Sequence, residues 1–112
     1  MIGFNHLGRH GRLGNQMFQY AGLRGIAAHR GFDFAIPPSD FKDPWTDHQL
    51  FEAFKLTGLT NIAVVPGPYV QEASFKFDEN LFNNMPDGHN VYGYLQTTKY
   101  FNHIEKEIRE DF

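Results

Sequence analysis

The sequence predicts an α/β protein built on a mainly parallel sheet with flanking helices. Three observations predict it. Short apolar, β-type runs alternate along the chain with segments of helical period. The first run, Met1 to Leu7, passes through a glycine-rich turn directly into a helical pattern. Hydrophobic residues make up 41% of the 112 residues and charged residues 21%, which suits a packed globular domain rather than a disordered chain. No repeat, low-complexity tract or linker interrupts the pattern, so residues 1–112 read as a single α/β domain.

In chain order, Met1 to Leu7 reads as a buried strand. Asn15 to Arg30 follows as a helix, with Asn15 standing where an N-cap is wanted. Phe18, Ala21, Gly22, Gly25 and Ile26 repeat at steps of three and four and mark one face. Gly22 and Gly25 each weaken the helix by up to ~1 kcal/mol relative to Ala, so close packing against the sheet is expected of them. Gly31 is a natural helix stop, and Phe32 to Ile36 reads as a second strand ended by Pro37-Pro38.

Residues 37 to 46 read as loop. Thr46-x-x-Gln49 has the form of a capping box, predicting a helix from Asp47 to about Leu56 that buries Leu50, Phe51 and Phe54. Ile62 to Val65 reads as a short β-branched strand stopped by Pro66-Gly67-Pro68. One short extended piece is expected within Tyr69 to Phe77, and a single helical turn at Asp78 to Phe82, with Asp78 and Glu79 as a cap or turn. Met85-Pro86-Asp87-Gly88 is a turn, and Val91 to Leu95 a further strand. Thr97 or Thr98 caps a final helix with Phe101, Ile104, Ile108 and Phe112 on one face.

The turn from Gly8 to Asn15 carries the chemistry. Gly8, Gly11 and Gly14 let the backbone take positive φ and approach a ligand closely. Exposed N–H groups beside the positive end of a helix form an anion site, and Arg9 and Arg12 add charge. The same glycines also suit a tight turn with no ligand. The spacing Gly-x-x-Gly-x-x-Gly fits neither the Walker loop nor the Gly-x-Gly-x-x-Gly of dinucleotide folds.

The residues Gly11-Arg12-Leu13-Gly14-Asn15-Gln16-Met17-Phe18-Gln19-Tyr20-Ala21 resemble the N-terminal signature of the α-1,2-fucosyltransferase family, which usually has glycine in place of Arg12. Gly93-Tyr94-Leu95-Gln96-Thr97-Thr98-Lys99-Tyr100-Phe101, and the acidic stretch Ile104 to Phe112, are similar to a second stretch of that family. Ser74-Phe75-Lys76-Phe77-Asp78-Glu79-Asn80-Leu81-Phe82 is similar to a third. The three follow the family's order.

The resemblance implies the N-terminal part of a glycosyltransferase B fold. It also implies inverting transfer of L-fucose from GDP-fucose to a hydroxyl of a galactoside acceptor, with no cofactor and no metal. Gly14, Asn15 and Gln16 are the substrate-binding residues it implies. Arg12 joins them because Gly-Arg-Phe-Gly-Asn-Gln occurs in related protein O-fucosyltransferases. The family's His-x-Arg-Arg-x-Asp donor motif does not occur in the sequence. The chain is therefore expected to be an incomplete N-terminal segment, inactive alone, whose partner would be a C-terminal domain or second polypeptide. A catalytic residue cannot be assigned.

Two other functions compete. A dinucleotide-binding oxidoreductase domain needs an acid at the end of the second strand; Asp33 falls inside that strand and Asp40 beyond the prolines. A non-catalytic sugar- or nucleotide-binding module fits the missing arginines. A net charge of −3 with no basic face argues against nucleic acid. The absence of cysteine excludes thiol catalysis and disulfides. No run reaches a membrane span and no signal pattern opens the chain, so a cytoplasmic protein is expected.

The remaining residue types read blandly. His6 and His10 straddle strand and loop and do not form a metal pair; the other histidines read as surface or helix-end residues. Glu105, Glu107, Glu110 and Asp111 alternate with Lys106 and Arg109 as a solvated face. Phe18, Tyr20, Phe51, Phe54, Tyr94, Tyr100 and Phe101 read as core, whereas Trp45 suits either a sugar platform or a loop anchor.

Overall fold

The computed structural model describes residues 1–5, 7, 13–37, 61, 64–73 and 76–111. The predicted helix from Asp47 to Leu56, Trp45 and the turn residues 8–12 lie outside them. The described elements are β1 (Ile2–Gly3), α1 (Leu13–Arg30), β2 (Phe34–Ala35), β3 (Tyr69–Gln71), α2 (Glu79–Asn84), β4 (Asn90–Tyr92) and α3 (Glu105–Asp111). Two 3-10 turns, Thr98–Tyr100 and Asn102–Ile104, lead into α3.

The four strands form one sheet in the order β2-β1-β4-β3, and every pairing is parallel. Ile2 pairs with Phe34, Gly3 with Asn90, and Val70 with Val91. The expected class, an α/β protein with a parallel sheet and helices, is what the chain adopts. The chain leaves β1 toward β2 on one side, while β4 and β3 lie on the other. The carboxyl ends of the parallel strands, with β1 and β4 at the centre, form the edge outside which open parallel sheets bind ligands.

One helix covers one face. Tyr20, Leu23, Ile26 and Ala27 of α1 share a buried cluster with Ile2, Phe4, Ile36, Val91, Leu95 and Tyr100. Because side chains alternate along a strand, Gly3 faces the other way. A Cβ there would lie 2.5 Å from Val65 Cγ2, so the second face is covered tightly at that point. The helix ends as its sequence demands. Gly31 adopts φ +73°, its N–H donates to the Ala28 carbonyl at 3.3 Å, and Phe32 N–H donates to the Ala27 carbonyl at 2.9 Å. That is the Schellman arrangement.

Several expectations need correction. The first strand is only Ile2–Gly3, because the chain turns after Phe4, whose carbonyl accepts from Leu7 N–H at 3.0 Å. Val64 and Val65 are not strand. Val65 bonds amide side chains instead of a ladder: its N–H donates to Asn5 Oδ1 at 3.0 Å, and its carbonyl accepts from Asn5 Nδ2 and Asn90 Nδ2, each at 2.8 Å. The helix α1 begins at Leu13, which places Asn15 inside its first turn rather than at an N-cap. Phe18 is 36% exposed and not core, although its ring lies 6.1 Å from that of Phe101. The final helix is broken at Phe101, φ −137°, into the two 3-10 turns and α3.

Other readings hold. Asp78 caps α2, its Oδ1 accepting from Leu81 N–H at 3.0 Å. Thr97 caps the first 3-10 turn. Arg109 pairs with Glu105 at 2.6 Å on an exposed face of α3. Among the described residues no helix is long and apolar enough to cross a membrane.

Candidate functional site

Gly22 and Gly25 explain how α1 meets the rest of the fold. A Cβ at Gly22 would lie 2.8 Å from Leu95 Cδ1, and one at Gly25 would lie 1.9 Å from the Tyr100 carbonyl oxygen. The close packing expected of these glycines is therefore against residues 95–101, not against the sheet. His103 Nε2–H donates to the Gly25 carbonyl at 2.8 Å, and Gln19 Nε2 donates to the Gly93 carbonyl at 3.2 Å. The segment after β4 is thus bound along α1, at the carboxyl edge of the sheet.

A buried carboxylate sits at the centre of that edge. Glu72 directly follows β3, and its N–H continues the ladder to the Tyr92 carbonyl at 2.8 Å. It is only 8% exposed. Its Oε2 accepts from the Tyr100 hydroxyl at 2.7 Å, and its Oε1 from Leu95 N–H at 3.4 Å. The Tyr100 oxygen in turn accepts from Asp78 N–H at 2.9 Å. Burial, then the bond to Glu72, pushes the Tyr100 phenol well above its ordinary range, although the Asp78 N–H opposes the shift. The phenol is held as a donor.

The chain's one described non-glycine residue of positive φ stands beside this carboxylate. Leu95 has φ +51°, and its side chain is fully buried. Its neighbours Tyr94 and Gln96 are half-buried and exposed. Gly93 leaves room for Glu72, since a Cβ there would fall 2.6 Å from Glu72 Cβ. Sparsely populated backbone held by buried polar contacts is a feature of ligand sites.

The sequence-predicted site residues fall as follows. Arg12 lies outside the described residues. Gly14 and Asn15 occupy the first turn of α1, which follows β1 and so opens from the carboxyl edge. Gln16 is fully buried, so its side chain is part of the interior beside that edge. Sequence reading missed Glu72. The signal was its register: two residues beyond the inward-packed Val70, it falls on the same buried face. It also missed Asn5 and Asn90, buried amides in or beside strands, where asparagine is uncommon. Asp33 precedes β2 and lies at the opposite edge from a ribose-binding acid, while Ile36-Pro37 follow that strand. Among the described residues no three His, Asp or Glu side chains gather as metal ligands.

Fold and geometry define a small parallel α/β protein whose candidate site is the carboxyl edge between α1 and the segment after β4. Comparison with known proteins finds no matching family model, curated protein or solved structure.

Proposed function

We propose that this chain forms the N-terminal part of a nucleotide-sugar transferase of the α-1,2-fucosyltransferase type, with a glycosyltransferase B arrangement, GDP-fucose as donor and a galactoside as acceptor. One observation carries the reading. The three stretches that resemble that family, far apart in sequence, meet in space. Gln19 bonds Gly93, and Asp78 N–H bonds the Tyr100 hydroxyl. Just past the first stretch, Gly22 and Gly25 pack on Leu95 and Tyr100.

The chemistry suits the place. A leaving diphosphate develops negative charge and needs N–H groups aimed at it in advance. The first turn of α1 offers such groups, with Gly14 and Asn15 in it and Arg12 just before it. Calorimetry with GDP, GDP-fucose and NAD tests the proposal. Binding of GDP and GDP-fucose without NAD is the expected result. Binding of NAD alone identifies a dinucleotide domain, and no binding of any of the three removes the nucleotide reading.

A further inference from the structure

We infer that Glu72 is a positioning residue whose buried carboxylate holds the turn 93–97 as one wall of the carboxyl-edge site, an inference that rests on the nucleotide-sugar reading above. The turn would not take its observed shape unaided. Leu95 sits at φ +51°, a conformation that leucine rarely adopts and that surrounding contacts must enforce. Two contacts do so. The Leu95 side chain is fully buried against Gly22, and its N–H donates to Glu72 Oε1 at 3.4 Å.

The second oxygen of Glu72 secures the far end of the turn. Tyr100 donates to it at 2.7 Å, which pins the 3-10 turn that follows. Gly93 completes the arrangement, because a Cβ would fall 3.1 Å from Glu72 Oε1 and 2.6 Å from its Cβ. An apolar residue at position 72 would fill the same space but accept neither bond. The described partners of this carboxylate are neutral donors on the turn and on Tyr100. Its geometry therefore serves the shape of the turn. Leu95 is buried, while its neighbours Tyr94 and Gln96 are half-buried and exposed, in the turn that Gln19 of α1 bonds at Gly93.

The test uses the full chain with Glu72→Gln, Tyr100→Phe and the double variant. Glutamine keeps an acceptor for Tyr100 and loses the one facing Leu95, while phenylalanine removes the other bond. GDP affinity is measured by calorimetry well below each variant's thermal midpoint, alongside exchange of the Leu95 amide. Each single variant should weaken GDP binding about tenfold, and the double variant no further, because both act through one group. In Glu72→Gln the Leu95 amide should exchange at least about tenfold faster. Unchanged GDP affinity in both single variants, an unchanged Leu95 amide, or a multiplied loss in the double variant overturns the inference while leaving nucleotide binding intact. A wild-type chain that binds no GDP overturns the nucleotide-sugar reading itself, and this wall with it. If Glu72→Gln does not fold, Tyr100→Phe decides by the same affinity measurement.

Discussion

Tyr100 is fully buried, yet its hydroxyl has both kinds of partner, an acceptor in Glu72 and a donor in Asp78 N–H. Tyr100→Phe keeps the ring and leaves a buried carboxylate oxygen and a backbone N–H short of a bond. A loss of about 1–3 kcal/mol is expected, read from urea unfolding. The phenol's raised pKa has a consequence of definite sign. Below the unfolded value of about 10 its contribution is fully present, and it is lost as pH rises through the folded value. Tyr100 should therefore ionise only above the ordinary range or on unfolding, and in phenolate absorbance Tyr100→Phe should reduce the late step by one tyrosine. The glycines separate by the same reasoning. Gly25→Ala would drive a Cβ into the backbone oxygen of Tyr100 and should cost at least about 3 kcal/mol. Gly31→Ala meets nothing within 4 Å, so only its positive φ matters, and about 1–2 kcal/mol is expected. Thermal midpoints of the two variants check the order.

At the scale of elements, the sequence was most informative where local chemistry decides structure. The period of α1, its stop at Gly31, the Asp78 cap and the turn at Asp87-Gly88 are all set by neighbours a few residues away. The errors fall where distant partners win. Val65 looks like strand by composition, but its backbone groups are taken by Asn5 and Asn90. The last helix has a continuous apolar stripe, but Tyr100 must reach Glu72 and fit its carbonyl against Gly25, and the chain breaks at Phe101. Glu72 was missed for the same reason, since its partners lie 23 and 28 residues away. Caps give direct tests. Asp78→Ala should cost about 1 kcal/mol through Leu81 N–H, with the Ala73 N–H that Asp78 Oδ2 also holds adding to the loss. Asn15 lies within the first turn of α1, so Asn15→Ala should be neutral or stabilise by a few tenths of a kcal/mol through helix propensity. A loss near 1 kcal/mol in chemical denaturation would restore the N-cap role.

At the scale of the molecule, one buried cluster joins β1, α1, α2, β4 and Tyr100, so the carboxyl edge is built on the same core that holds the fold. The edge supplies shape: a helix start on one side, a strained turn on the other, and a buried carboxylate holding that turn. Transfer from a nucleotide sugar needs more than shape, because the departing diphosphate requires cations placed beside it. The sequence contains no His-x-Arg-Arg-x-Asp run, the element that supplies paired arginines in the family it resembles. Binding and turnover should therefore separate in this chain. GDP is expected to bind, and GDP-fucose to remain unhydrolysed and untransferred when lactose or another galactoside is present. Product analysis with labelled GDP-fucose checks this. Fucosylated acceptor formed by the purified 112-residue protein at a rate proportional to its concentration would show that Arg12 and the helix start suffice for the leaving group.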